Sequence, residues 1–322
     1  MSDVTLIDAR VTARSELATD ICALEIEASG RVPLPALDAG AHIDVHVGGF
    51  VRQYSLLGPP ACAPERYRIA VLRTTASRGG SEAVHRTLQV GSSLRISAPR
   101  NHFALRLDGA PAVLVAGGIG ITPILCMAAA LHGRRTPFEL HYCGRSIARM
   151  ALVDELLGSP YARSVHLHVD DAPSGRLDVG RVLSRQPAHA HLYVCGPQGF
   201  MDHVLGSARA AGWTDDRLHH ECFQPAAAAS GSGDRPFELW AVRSGQRIVV
   251  RADESALQAL RRSGIQIASS CEQGVCGSCL IPVVAGLVDH RDSFLTAQEK
   301  AAHAEFLPCC SRALENTLTI DA

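Results

Sequence analysis

Four cysteines near the carboxyl end constrain this chain of 322 residues more than any other feature. Cys271, Cys276 and Cys279 lie in the segment CEQGVCGSC, and Cys309 completes the pattern C-x4-C-x2-C-x29-C. Two glycines stand among the clustered cysteines, and glycine allows the tight turns that bring backbone N–H groups towards bound sulfur. Cysteines buried singly in a core do not explain this spacing, so we expect a metal centre held by thiolates.

The spacing is that of plant-type ferredoxins, in which four thiolates hold a [2Fe–2S] cluster. A structural zinc site usually has two C-x2-C pairs, and here only Cys276 and Cys279 are spaced in that way. The neighbouring Cys310 makes the fourth ligand ambiguous. We assign Cys309, because the ferredoxin pattern places the ligand just before x-Ser-Arg, where Cys310 is the residue x and would be a small apolar filler.

Length and composition limit the class of protein. A chain of this length predicts two or three domains, and a net charge of −1 without a basic block argues against a nucleic-acid partner. Residues 110–131 carry no charge, but three glycines and Pro123 interrupt them, so a buried strand and a helix are favoured over a membrane span. The first residues show no signal-peptide pattern, and eleven cysteines suggest reduced thiols, hence the cytoplasm.

Residues 1–108 alternate apolar and polar side chains in short runs that start at Ile21, His42, Arg66 and Ser93. Such spacing predicts an antiparallel β-barrel, with a single helix from Ser81. Within it, the segment RQYS could hold an anionic ring cofactor, although an ordinary strand is the common explanation. Its candidate residues are Arg52 for a phosphate, Tyr54 against a ring and Ser55 for a ring nitrogen.

The segment SRGGSEAVH, which begins at Ser77, offers a second candidate anion site. Gly79, Gly80 and Ser81 open the predicted helix, where free N–H groups can bind a phosphate. The simpler alternative is that Ser81 is only the N-cap of that helix.

Residues 109–225 change to alternating strands and helices, which predicts a parallel α/β sheet whose ligands bind beyond the carboxyl ends of the strands. The loop GGIGITP follows the first strand and is not the dinucleotide fingerprint G-x-G-x-x-G. Candidate ligand residues at these strand ends are Gly118, Gly120, Thr122 as a possible cap, Arg145, Ser146, Asp171, Cys195, Gly196, Pro197, Glu221 and Phe223.

Residues 226–235 are small and polar and predict a linker. Residues 236–322 then predict an α+β ferredoxin domain, with a hairpin turning at Ser244 and Gly245, a helix ending at a capping glycine, and the cysteine loop.

Together these motifs resemble the phthalate dioxygenase reductase family, the FMN and iron–sulfur reductases of Rieske oxygenases. The resemblance covers the whole chain and includes the order of domains, with the ferredoxin last. It implies an FMN-binding barrel, an NAD-binding domain and a [2Fe–2S] ferredoxin domain. It also implies that RQYS holds the flavin, that the loop after the first α/β strand receives the pyridine nucleotide, and that Cys195, Glu221 and Phe223 lie near the reacting rings.

The resemblance implies a function in electron transfer. Hydride passes from NADH to FMN, and single electrons pass through the cluster to a Rieske-type aromatic oxygenase or O-demethylase. The alternatives are the same electron chain serving a cytochrome P450, and a non-enzymatic redox sensor. The family suggests a monomer, while the final aromatic substrate and the choice between NADH and NADPH stay open.

Overall fold

The computed structural model describes residues 6–30, 32–74, 79–171, 175–223 and 234–322. It divides the chain into two compact units, Met1–Glu221 and Cys222–Ala322. The first unit contains a β-barrel and a parallel α/β sheet, and the second contains a mixed sheet with the cysteine loop. The domain boundaries given above are finer than this division and stay predictions. Most of the predicted linker lies outside the described residues.

The barrel is closed and antiparallel, in the strand order β1-β2-β5-β4-β3-β6, as the alternating pattern predicts. One face of each strand supplies apolar side chains to the interior, and closure leaves no unpaired edge. Its elements are β1 (Leu6–Ala18), β2 (Ile21–Ala28), β3 (His42–Val47), β4 (Phe50–Leu57), β5 (Arg66–Leu72), α1 (Gly80–Thr87) and β6 (Ser93–Ser97).

The α/β part has five parallel strands in the order β11-β10-β7-β8-β9. The central strand β7 is buried along its whole length, because helices cover both faces of such a sheet. The elements are β7 (Ala112–Gly117), α2 (Ile121–Gly133), β8 (Phe138–Gly144), α3 (Val153–Leu157), β9 (Val165–Val169), α4 (Val179–Leu183), β10 (His191–Cys195), α5 (Gln198–Ala210) and β11 (Leu218–Glu221).

The uncharged run at 110–131 forms β7 and α2, as expected. Nine residues of α2 are buried, and the helix shares one apolar core with the barrel. Among the residues that the structure describes, no helix is long and apolar enough to cross a bilayer.

The second unit has a mixed sheet in the order β13-β12-β18-β14-β16 and a short pair β15-β17. The predicted helix after the hairpin begins with a capping box at Ser255 and Gln258, and Gly264 follows its end with φ +81°. The elements are β12 (Phe237–Ala241), β13 (Gln246–Val250), α6 (Ala256–Arg262), β14 (Ile281–Ala285), β15 (Val288–Asp289), α7 (Ala297–Ala302), β16 (Glu305–Phe306), β17 (Arg312–Ala313) and β18 (Thr317–Ile320).

Asp234, which the sequence assigned to the linker, is fixed to the second unit. Its carboxylate accepts two hydrogen bonds from Arg291, at 2.7 and 3.1 Å, and lies 3.8 Å from the Arg312 guanidinium. These charges lower the pKa of Asp234, chiefly through the hydrogen bond from Arg291.

Candidate functional site

The cysteine loop folds tightly because two glycines adopt the left-handed conformation, Gly274 with φ +74° and Gly277 with φ +68°. A Cβ on Gly274 would meet the Cys310 sulfur at 2.5 Å, and one on Gly277 would overlap the Phe294 ring. The Gln273 N–H donates to the Cys271 sulfur at 3.3 Å, as the sequence led us to expect for this loop.

The four predicted ligands lie together as two contacting pairs. The Cys271 thiol donates to the Cys276 sulfur, which lowers the pKa of Cys276 to about 5 and raises that of Cys271. Cys279 contacts Cys309, and contacts with Cys279 and Cys310 raise the pKa of Cys309. Two thiol pairs, backbone N–H donors and a cradle without Cβ atoms fit a four-thiolate [2Fe–2S] cluster.

The structure gives Cys310 its own partners. Its sulfur lies 3.8 Å from the Leu307 carbonyl oxygen and 3.7 Å from the Ser311 hydroxyl. Cys309 is the neighbour that contacts Cys279, which supports Cys309 as the fourth ligand.

The carboxylate of Asp292 holds the segment that faces the cysteine loop. It is fully buried and accepts the N–H groups of Phe294 and Leu295, at 3.1 and 2.8 Å. The Ser293 N–H in turn donates to the Gly274 carbonyl oxygen at 2.9 Å. Asp292 therefore supports the loop conformation, and the sequence pattern gave no sign of this role.

In the first unit, the barrel brings Arg52 to the start of α1. A Cβ on Gly80 would overlap the Arg52 guanidinium, so the missing side chain makes room for this cation beside the amino end of the helix. Gly79 occupies the N-cap position with φ +97°. Arg52, Gly79 and Gly80 thus form a cradle that fits a phosphate. Ser77 and Arg78 of the same motif lie outside the described residues.

The alternative role of Ser81 as an N-cap is wrong. Gly79 is the N-cap, and the Ser81 hydroxyl accepts the N–H of Thr74 at 3.2 Å. Glycine holds the cap position because its backbone is left-handed, where a serine would be strained. Ser81 thereby fixes the chain that enters the cradle.

Ser55 lies on β4 directly opposite His42 on β3. Its hydroxyl is buried and has no hydrogen-bond partner among the residues that the structure describes. The adjacent Tyr54 is half-buried and packs against the core, and desolvation raises the pKa of its phenol. An orphaned buried hydroxyl beside an aromatic residue fits a polar ring atom of a bound flavin.

Glu221 ends β11 and lies near the same strands. Its Oε1 is 3.9 Å from Nδ1 of His42. Within the described ranges, Glu221 Oε2 and His42 Nδ1 have no hydrogen-bond partner. Burial raises the pKa of Glu221 to about 8. Burial, followed by the charge of Arg100, lowers the pKa of His42 to about 4. The sequence singled out Glu221 and missed His42, whose only signal was a polar residue at an inward-facing strand position.

The two glycine-containing loops predicted for the nucleotide lie against each other. A Cβ on Gly120 would overlap the Cys195 carbonyl, and one on Gly196 would come within 3.1 Å of the Gly117 backbone. Cys195 is buried and pairs in register with Glu221 across β10 and β11. The absent side chains thus let the two loops pack closely at the carboxyl ends of β7 and β10, the edge at which ligands of such sheets bind.

Thr122 is not the cap that the sequence led us to expect. Gly120 is the N-cap of α2, and the Thr122 hydroxyl donates to the Ile119 carbonyl at 3.0 Å inside the first turn. The helix begins at Ile121, so Thr122 is already inside its first turn. From this position the Thr122 hydroxyl does not reach the unpaired N–H groups at the start of the helix.

The remaining predicted residues lie at strand ends or in the second unit. Arg145 is exposed and Ser146 is half-buried after β8, Asp171 is exposed after β9, and Pro197 is the N-cap of α5. Phe223 belongs to the second unit and is 37% exposed. The ligand contacts of these residues stay predictions.

Comparison with known proteins identifies the family. Residues 241–314 match the family described as 2Fe-2S iron-sulfur cluster binding domain. The chain is 47% identical over 318 residues to a vanillate O-demethylase oxidoreductase from Pseudomonas sp. (strain HR199 / DSM 7063), covering 98% of this chain and 100% of that one. It matches the solved structure of phthalate dioxygenase reductase with a TM-score of 0.75 and 34% identity, over 98% of both chains. The chain belongs to the phthalate dioxygenase reductase family.

The phthalate dioxygenase reductase structure is described as modular, for electron transfer from pyridine nucleotides to [2Fe–2S]. The family confirms the predicted fold, an oxidoreductase activity, and FMN, NADH and a [2Fe–2S] cluster as the expected cofactors. A third likeness is to an intact self-sufficient cytochrome P450 monooxygenase, with a TM-score of 0.85 and 37% identity over 98% of this chain but 41% of that one.

Proposed function

We propose that this chain is the NADH-dependent reductase of a Rieske-type aromatic oxygenase or O-demethylase. The observation that carries the proposal is the end-to-end match with a vanillate O-demethylase oxidoreductase, over 98% of this chain and 100% of its relative. The two thiol pairs and the orphaned polar groups of the first unit agree with the cofactors of such a reductase.

In this proposal each part of the chain binds one redox group. Bound FMN supplies the chemistry that converts hydride from NADH into single electrons for the cluster. Arg52 and the backbone of Gly79 and Gly80 hold the flavin phosphate. Ser55 binds N5 of the flavin through its hydroxyl, which has no hydrogen-bond partner in the described part of the chain.

Three residues complete the proposed reacting region. Cys195 and Gly120, which lie against each other, border the nicotinamide. Glu221 stays protonated at neutral pH, because burial raises its pKa to about 8, so it can donate a hydrogen bond without adding negative charge beside a reduced ring.

The electron acceptor is the part of the proposal most open to test. Purified reductase would be mixed with NADH and either a Rieske oxygenase acting on a methoxylated or carboxylated aromatic acid, or a cytochrome P450. We expect product coupled to NADH oxidation with the Rieske oxygenase. Product formed only with the P450 would contradict the proposal.

A cytochrome P450 acceptor is the second candidate, because the likeness to the self-sufficient monooxygenase has a TM-score of 0.85. A non-enzymatic redox sensor is the third. Rapid NADH-dependent reduction of cytochrome c would exclude the sensor, because a sensor has no need of catalytic turnover.

We also propose a monomer in the cytoplasm. Eleven cysteines without a disulfide support a reducing compartment. Size-exclusion chromatography with light scattering tests the monomer, and a molar mass near 34.2 kDa is expected.

A further inference from the structure

A cluster of imidazoles lies on one face of strands β8 and β9, outside the groups used above. β9 is the edge strand of the parallel sheet and pairs with β8 so that His141 faces His166 in register. Glu139 lies on the same face of β8 and His168 on the same face of β9, because side chains alternate along a strand. Strands of a buried parallel sheet normally carry apolar residues at these positions.

The side chains of this cluster converge. The rings of His141 and His166 stack with centroids 4.9 Å apart and an interplanar angle of 18°. His141 Nε2 lies 3.4 Å from Glu139 Oε2. One ligand atom each from Glu139, His141 and His166 lies within 4.8 Å of the other two.

His168 and Gln186 orient these groups from outside. His141 Nδ1 lies 3.0 Å from His168 Nε2, and the Gln186 amide donates to Glu139 Oε2 at 3.2 Å. When His141 donates its Nδ1 proton to His168, its Nε2 lone pair faces the Glu139 carboxylate. Two acceptors at 3.4 Å repel each other, and a cation between them turns that repulsion into attraction.

We propose that Glu139, His141 and His166 bind one divalent transition-metal ion with the ligand preferences of Zn²⁺. Two imidazole nitrogens and one carboxylate oxygen, with water in the fourth position, form a usual zinc ligand set. His168 is the outer partner that fixes the tautomer of His141, as carboxylates and carbonyls do around other metal-bound histidines.

The chemistry of the site separates it from the cysteine loop. Its donors are nitrogen and oxygen atoms, whereas the loop offers four thiols. Burial lowers the pKa of His141 to about 4, so this imidazole is neutral and able to bind a metal at neutral pH. An ion held by both strands would tie the edge strand β9 to β8.

The test uses the full chain with its flavin and iron–sulfur cluster loaded, so that the cysteines are already occupied. Zinc-free protein is titrated with ZnCl₂ by isothermal calorimetry, with iron and zinc contents measured before and after. The variants are His166→Ala, which changes an exposed side chain, and Glu139→Gln, which keeps a similar shape. The control is His203→Ala on α5, another exposed histidine.

We expect one zinc ion per wild-type chain and binding that is at least about tenfold weaker in each variant. The control should bind like the wild type. In ¹⁵N-labelled protein, zinc should shift the ring nitrogens of His141 and His166. Absence of zinc binding by the wild type, or binding by both variants that is as tight as that of the wild type, would overturn the proposal. NADH–ferricyanide activity, which does not depend on this site, shows that the variants are folded.

Discussion

The imidazole Nδ1 of His42 and the carboxyl Oε1 of Glu221 lie 3.9 Å apart in a buried position. On a surface this pair would be ionic. Here burial raises the pKa of Glu221 to about 8 and lowers that of His42 to about 4, so between these values both groups are neutral. Asp44, Arg100 and His102 are the other charged or titratable groups acting on His42, and Asp44 is paired with Arg100 at 2.6 Å. A neutral pair with orphaned atoms suits a site that exchanges hydrogen bonds with a ligand.

Glu221→Gln should remove one proton that is released near pH 8. In the wild type, the raised pKa of Glu221 means that the folded state binds this proton more tightly than the unfolded state does. The contribution of Glu221 to the free energy of unfolding is therefore complete below about pH 4.5 and is lost as pH rises through about 8. The contribution of His42 to the free energy of unfolding depends on pH in the opposite direction, because its pKa is lowered. It is lost as pH falls from 6.5 to about 4. Between pH 6.5 and 8, Glu221 alone of the two should change stability.

The measurement for Glu221 is a difference titration of wild type against the variant, together with the thermal midpoint across this pH range. The variant should have the flatter profile. The control is Glu82→Gln, which changes an exposed carboxylate on α1 and should keep the pH profile of the wild type. If the Glu221→Gln variant released as many protons near pH 8 as the wild type does, the proton would belong to another group.

Ser55→Ala should slow flavin reduction by NADH about 10- to 100-fold, the effect of losing one hydrogen bond to a group that gains charge. The free energy of unfolding should hardly change, because this hydroxyl makes no hydrogen bond to any residue that the structure describes. Stopped-flow absorbance measures the rate, and iron content checks the cluster. Ser97→Ala provides a contrast, since that hydroxyl accepts the Asp44 N–H at 2.9 Å and its loss should cost about 1 kcal/mol. An unaltered reduction rate in Ser55→Ala would remove the proposed role.

Gly80→Ala should weaken FMN binding at least about tenfold, because its Cβ would displace the Arg52 guanidinium from the cradle. The helix itself should tolerate the change, since alanine is favoured over glycine by roughly 1 kcal/mol. Fluorescence titration of the apoprotein with FMN gives the affinity. Gly206→Ala in α5 is the matched control, because nothing lies within 4 Å of its added Cβ. Equal FMN affinity in both variants would show that Arg52 does not hold the phosphate.

The cysteine variants assign the cluster ligands. Cys271→Ala, Cys276→Ala, Cys279→Ala and Cys309→Ala should each abolish the cluster, because four thiolates are required. Cys310→Ala should retain it, since Cys310 contacts the Leu307 carbonyl and the Ser311 hydroxyl instead. Iron and acid-labile sulfide analysis and electron paramagnetic resonance measure the outcome. A cluster that survives Cys309→Ala but not Cys310→Ala would reverse the assignment.

Local features of the site could be read from the sequence. The strands from Ile21, His42 and Ser93 begin where the alternation of polar and apolar residues predicts. The cysteine loop is equally local, because three ligands and two glycines lie within nine residues. Capping was less predictable: Ser81 and Thr122 each lie two residues beyond the N-cap, which a glycine occupies.

Long-range features required the structure. His42 meets Ser55 only because β3 and β4 pair in one particular register, and no local pattern fixes that register. The raised pKa of Glu221 depends on burial by distant segments. Asp292, which accepts two N–H groups opposite the cysteine loop, likewise has no motif of its own.

The most direct test of the electron-transfer chain is an anaerobic titration of the purified protein with NADH, followed by its visible spectrum. We expect flavin and iron–sulfur bands that bleach with about one and a half NADH per chain, because flavin takes two electrons and the cluster takes one. A protein that stays colourless after reconstitution with iron, sulfide and FMN, or a coloured protein that NADH does not bleach, would contradict the account.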